Sequence, residues 1–284
     1  MKKDESFQVP GATLWLRDAL AAMSELPSQS FDLAIADPPY GASTKATWKL
    51  DRGHALPGMG GAWKLASHTW DQLCNLEGFE ATVVWLKELK RLVRPTGSIW
   101  IHATYHNAGV ANVACQMLGL EIINEVVWYK RNAFPNLSAR RLTASHETIL
   151  WVHTGDGERK YRFNYEAVKA AHFPEDNLKE RGKQLRTVWD VPNNKGRDEL
   201  EFGSHPTQKP LRLTERMLLI SGTPQGRLLV PFLGSGTEVL AGLCYGMECV
   251  GFEVDPEYFK LACQRVEGET EKQKAAPKLE LALC

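Results

Sequence analysis

Apolar positions along the chain fall into short continuous runs and helically spaced sets. The run Phe31-Asp32-Leu33-Ala34-Ile35-Ala36 stops at Asp37-Pro38-Pro39 and reads as a buried strand. Residues 98–102 read the same way and follow Pro95-Thr96-Gly97, a turn signal. Between the two, Phe79, Val83, Leu86, Leu89 and Val93 recur at helical spacing and predict a helix over 79–93. Two β-rich runs, 122–129 and 147–153, flank a loop containing Pro and Arg. Toward the C-terminus the pattern predicts a helix over 211–221, a strand over 227–232, a helix over 236–245 and a strand over 249–253. A last helix over 256–266 opens with proline in its first turn. Strands alternating with helices predict an α/β fold with a mostly parallel sheet.

Two segments break this rhythm. Residues 41–75 are rich in Gly, Trp and Lys, and loops this long in a compact domain usually serve a function. Residues 154–205 are polar, charged and weakly periodic, and read as an insertion outside the core. After Glu267 the chain is charged and is expected to fray.

The chain has 284 residues, of which 43% are hydrophobic and 24% charged, so it can bury a core without staples. The apolar stretch 228–252 is interrupted by glycines, Pro231, Glu238 and Glu248, which excludes a membrane span there. The first residues carry no apolar core of a secretion signal, and the six cysteines form no Cys-x-x-Cys pair. A reduced, cytoplasmic protein without a metal centre is the expectation. His102 and His106 stand four apart but lack a second ligand pair. Net charge is zero, yet residues 128–212 hold 16 Lys and Arg against 11 Asp and Glu. A locally basic middle suits a surface that tracks a nucleic-acid backbone.

Three motifs carry chemistry. Asp37-Pro38-Pro39-Tyr40 leaves a strand, and the carboxyl ends of strands are where ligands bind in open α/β sheets. Its prolines stiffen the turn and leave carbonyls without competing N–H groups. One carboxylate, free carbonyls and one aromatic face suit a planar base with an exocyclic amino group. Phe232-Leu233-Gly234-Ser235-Gly236-Thr237 leaves another strand and opens a helix, so its backbone can approach a ligand closely. Glu253 follows Gly236 by 17 residues at the end of the next strand, the pattern for an acid on ribose hydroxyls. The glycines do not complete a dinucleotide fingerprint, so a nucleoside-type cofactor is indicated. The third motif, His205-Pro206-Thr207-Gln208-Lys209-Pro210, is by itself a rigid turn before a helix.

In this order the three blocks resemble the beta-class (permuted) DNA amino-methyltransferases that use S-adenosylmethionine. Phe134-Pro135-Asn136-Leu137-Ser138-Ala139-Arg140-Arg141-Leu142-Thr143 and Ser145-His146-Glu147-Thr148 also look like the adenine-modifying members. The resemblance implies a Rossmann-like methyltransferase fold with permuted motif order. Residues 1–153 would be the catalytic half, 154–205 an inserted target-recognition region, 206–267 the cofactor half and 268–284 a flexible tail. It implies methyl transfer to the N6 amino group of a flipped adenine in double-stranded DNA. A nucleoid-associated homo-oligomer, most simply a dimer, is the expected form.

Residue by residue, the resemblance gives the catalytic role to Asp37, Pro38, Pro39 and Tyr40, with Tyr40 stacking on the base. The cofactor would meet Asp18, Asp37, Thr207, Lys209, Pro210, Phe232, Gly234, Ser235, Gly236, Thr237 and Glu253. For Asp18 a plain helix-capping role is the alternative. Lys130, Arg131, Arg140 and Arg141 are the candidate DNA contacts, with the basic residues of 154–205 as sequence readers. Trp48, Trp63 and Trp70 could close over DNA or simply pack. One position departs from the pattern. The family places Asp two residues before the Phe of the glycine block, and this chain has Val230 there. That puts the contact to the methionine amino group in doubt. Cytosine N4 methylation, protein glutamine methylation and a catalytically silent DNA-binding subunit are the competing readings. Asp at position 37 favours adenine, and the glutamine enzymes carry Asn there.

Overall fold

The computed structural model describes residues 5–39, 78–136, 140–155, 160–173, 176, 180, 182–193, 198–203 and 205–275. The chain opens with a hairpin of β1 (Glu5–Val9) and β2 (Ala12–Leu16), followed by α1 (Ala19–Glu25) and β3 (Phe31–Ala36). Then come α2 (Gly78–Leu92), β4 (Val93–Ala103), α3 (Ala108–Met117), β5 (Glu121–Tyr129) and β6 (His146–His153). The second half holds α4 (Tyr165–Ala170), β7 (Val188–Asp190), α5 (Leu211–Ser221), β8 (Arg227–Val230), α6 (Thr237–Cys244), β9 (Glu248–Glu253) and α7 (Pro256–Ala275). The strands form one sheet in the order β1-β2-β9-β8-β3-β4-β6-β5-β7. From β2 to β4 every neighbouring pair is parallel, while β6 runs antiparallel to both β4 and β5.

The alternation within β3 sets the two faces. Leu33 and Ile35 join one buried cluster with Trp100, Met217 and Val239, while Ala34 and Ala36 join a second with Trp85, Ile99 and Ile101. Helices therefore cover both faces, as a parallel sheet with no solvated side requires. A layer of indoles fills the first face. Trp100 stacks on Trp151 at 5.2 Å with an interplanar angle of 5°. The Trp100 indole N–H donates to Ser221 Oγ at 2.8 Å, and that of Trp128 donates to the Val191 carbonyl at 2.6 Å.

The strand and helix pattern of the sequence is present, with four corrections. Pro95-Thr96-Gly97 is not a turn but part of β4, where the pairing with β3 jumps from Phe31↔Val93 to Leu33↔Ser98. A Cβ on Gly97 would lie 2.5 Å from the Asp32 carbonyl oxygen, so only glycine fits that close approach. The strand expected to reach residue 232 ends at Val230, because Pro231 offers no N–H to the ladder. Helix α7 continues through the charged boundary at Glu267 to Ala275, with Thr270 buried, so the fraying expected from 268 does not begin there. Residues 154–205 are not wholly outside the core. Val168, Trp189 and Val191 join the main cluster, and β7 extends the sheet beside β5.

The same segment is tied down by a buried ion pair. Arg216 on α5 donates from Nη1 to both carboxylate oxygens of Asp176 at 2.9 Å, with side-chain exposures of 2% and 4%. Its guanidinium lies 3.9 Å from the Phe173 ring centroid. Removing one partner strands a buried charge, so Asp176→Ala should cost about 3–5 kcal/mol in a urea denaturation experiment. A loss under about 1 kcal/mol would show that this segment does not help to hold the fold.

Candidate active site

Parallel strands put their carboxyl ends on one edge of the sheet. That edge collects Asp18 after β2, Asp37 after β3, the loop 231–236 after β8 and Glu253 at the end of β9. β3 and β8 are direct neighbours, paired at Leu33↔Leu228 and Ala34↔Leu229. The two motif-bearing loops therefore emerge side by side although they lie far apart in the chain. The chain leaves β3 toward β4 and leaves β8 toward β9, so the loops flank a topological switch point.

Between them is a cavity open to solvent. Of the expected site residues, Asp18, Asp37, Pro38, Pro39, Thr207, Lys209, Phe232, Gly234, Ser235, Thr237 and Glu253 line it. Pro210 and Gly236 do not. Pro210 caps α5, and Gly236 caps α6 in the left-handed conformation at φ 78° with Ala262 close behind it. Both shape the walls. Tyr40, Trp48, Trp63 and Trp70 lie outside the described residues. Asp18 caps α1, its Oδ1 accepting from the Ala21 N–H at 2.9 Å, and the residue borders the cavity.

Glu253 is held by its own strand end. Its carboxylate accepts from the N–H groups of Gly234 at 2.7 Å and of Val254 and Asp255 at 2.9 Å. Burial pushes this carboxyl up to about 7, against those three N–H groups, which favour the charged form. His205 closes the far wall, its ring 4.2 Å from that of Tyr258 and its Nδ1 3.1 Å from Thr207 Oγ1.

Beside the cavity runs a chain of alternating charges. Lys209 Nζ, 3% exposed, lies 3.2 Å from Asp37 Oδ2 and 3.3 Å from Glu147 Oε2. Lys130 Nζ lies 2.9 Å from Glu147 Oε1. Burial alone would raise the Glu147 carboxyl, but Lys209 and Lys130 more than offset it and hold it down to about 2. The Asp37 and Glu147 charges likewise outweigh burial at Lys209 and raise its pKa, so it stays an ammonium. His102 at the end of β4 is fully buried, and among the described residues neither ring nitrogen has a hydrogen-bond partner. Burial lowers its pKa to about 4, so it stays neutral.

Glu147, Glu238 and His102 were not assigned to the site from the sequence. β6 is antiparallel, so its first residues, not its last, reach the edge where β3 and β4 end. Nothing in the local pattern of 147–153 distinguishes that direction. The structure also places the four expected DNA contacts differently from one another. The Lys130 ammonium points into the charge chain. Arg131 pairs with Asp190 at 2.8 Å and is half exposed. Arg140 and Arg141 are exposed, and Arg141 donates to the Tyr105 hydroxyl at 2.5 Å.

Residues 31–264, which carry the acid on the proline turn and the glycine loop, match the model of the N6/N4 DNA methylase family. The chain belongs to this family. It is an S-adenosylmethionine-dependent DNA methyltransferase with the Rossmann-like fold of that class. The methyltransferase is 32% identical over 255 residues to Type II methyltransferase M2.DpnII of Streptococcus pneumoniae, covering 89% of each chain. It is 30% identical over 261 residues to Type II methyltransferase M2.LlaDCHI of Lactococcus lactis subsp. cremoris, covering 92% of this chain and 91% of that one. The M1.HpyAVI–SAM complex superposes with a TM-score of 0.60 at 23% identity, over 90% of this chain and 98% of that one. PvuII DNA methyltransferase, cytosine-N4-specific, superposes at 0.64 and 16%, over 96% of this chain and 88% of that one. At these identities the two structures show the shared fold. Among the described residues of the methyltransferase, no cluster of side chains fits a metal ion, and no helix is long and apolar enough to cross a membrane.

Proposed function

We propose that this methyltransferase modifies the N6 amino group of an adenine turned out of double-stranded DNA. The observation that carries the reading is Asp37 on the stiff proline turn, its carboxylate fixed by Lys209 at the mouth of the cavity. The donor set suits the cofactor. Glu253 can accept from ribose hydroxyls, Asp18 borders the adenine end, and the loop 231–236 gives close backbone approach. S-adenosylmethionine supplies an electrophilic methyl group on its sulfonium.

An exocyclic amino nitrogen is a weak nucleophile because its lone pair is delocalised into the ring. Asp37 and the Pro38 carbonyl accept its two hydrogens and draw the nitrogen toward sp³, which frees the lone pair. Lys209 fixes the orientation of the Asp37 carboxylate, so the acceptor is in place before the base arrives. Alignment of nitrogen, carbon and sulfur then contributes roughly 7–11 kcal/mol. Turning the base out costs a few kcal/mol, and stacking on Tyr40 returns about 1–3 kcal/mol. Arg140 and Arg141 supply phosphate contacts at the same edge, and the protein works as a homodimer in the cytoplasm.

The test is transfer from labelled S-adenosylmethionine to unmethylated plasmid DNA, with mass spectrometry of the released nucleosides. N6-methyladenine is the expected product. N4-methylcytosine would move the target to cytosine on the same amino chemistry. No methylated base from folded protein would leave a DNA-binding subunit without activity.

A further inference from the structure

The site has one acid that neither the family pattern nor the proposed mechanism uses. Glu238, in the first turn of α6, is 4% exposed and lines the cavity. The other acids there are engaged. Asp18 caps a helix, Asp37 faces Lys209 and Glu253 holds three N–H groups. Among the described residues, no other residue donates a hydrogen bond or ion pair to the Glu238 carboxylate. Arg265 on α7 turns its Nη1 to the Ser235 carbonyl at 2.6 Å and the Thr237 hydroxyl at 3.1 Å. Val230 is fully buried in the core cluster and does not line the cavity, so position 230 offers no acceptor to a ligand.

We infer that Glu238 is the acceptor for the ammonium group at the amino-acid end of the cofactor. The inference rests on the reading of this cavity as the cofactor pocket. With the nucleoside end held at Glu253 and Asp18 and the reacting group facing Asp37, the amino-acid end would be held over the loop 231–236. That loop leads directly into the first turn of α6. A buried carboxylate held only by its own backbone N–H costs free energy that a cationic ligand group recovers. The charged groups acting on Glu238 are Asp37 after β3, Lys209 before α5 and Arg265 on α7, together with its own backbone N–H. Burial and then Asp37 push the Glu238 carboxyl up to about 7, so it must ionise fully to receive the ammonium.

Two ligands separate this role from a structural one. S-adenosylhomocysteine carries the amino-acid end, and 5′-methylthioadenosine lacks it. Calorimetric titration of the full chain should show Glu238→Gln weakening S-adenosylhomocysteine roughly 10- to 100-fold while 5′-methylthioadenosine stays within about twofold. In the unsubstituted protein, the ratio of the two affinities should rise about tenfold from pH 6 to pH 8, and this rise should vanish in the variant. An unchanged affinity for S-adenosylhomocysteine, or equal losses for both ligands, overturns the assignment. Failure of the unsubstituted protein to bind 5′-methylthioadenosine would instead overturn the cofactor pocket itself.

Discussion

Asp37→Ala should lower single-turnover methyl transfer by at least roughly 10³-fold, because it removes a placed acceptor at the reacting amino group. Cofactor affinity by calorimetry should stay within about threefold, since the nucleoside contacts proposed here lie after β2 and β8 and at the end of β9. Asp37→Asn keeps one acceptor oxygen and loses the charge, so its rate should fall between the two. Lys209 would still face Glu147 at 3.3 Å in either variant, which limits the structural damage. Near-normal turnover in Asp37→Ala would remove this residue from the mechanism.

Lys209→Met tests the support behind that acceptor. The substitution leaves two carboxylates facing each other across the space of a buried ammonium. Loss of one partner from such a set should cost about 3–5 kcal/mol in denaturant unfolding. The charge that holds Glu147 down would be weakened, so its pKa should rise from about 2. In the unsubstituted protein that depressed value adds stability above pH 4.5, which is lost as the pH falls from 4.5 through about 2. In the variant the folded value lies closer to 4.5, so this acid-side loss should be smaller and should end at a higher pH. Glu147 would then hold its proton to higher pH, moving the acid limb of the pH–rate profile toward alkaline values. A variant that loses stability but keeps its pH–rate profile would show Lys209 to be structural only.

The motif loops were legible in the sequence because each is a strand exit marked by proline or glycine. Asp37, Gly234 and Glu253 needed only the rule that ligands gather at the carboxyl ends of parallel strands. Glu147 was not legible, because its place depends on the antiparallel insertion of β6 between β4 and β5, whereas His102 lies at the end of the parallel strand β4 and only its full burial was hidden. A period-2 pattern has no direction. Glu238 looked like an ordinary first-turn acid, and only its burial in the cavity sets it apart. The segment 154–205 misled for a different reason. Its few apolar residues are spaced irregularly, yet Val168, Trp189 and Val191 all reach the core.

The seam between β3 and β8 has a consequence for how the protein is built. The Arg227 N–H donates to Asp32 Oδ2 across this seam at 2.8 Å, over a sequence separation of 195 residues. Closing a loop of that size carries an entropy cost that local contacts cannot offset in advance. The proposed acceptor for the amino group, after β3, and the proposed cradle for the methyl donor, after β8, sit on opposite sides of the seam. Reaction geometry is therefore a property of the completed chain, and neither half of a cleaved protein would retain it without rejoining the other.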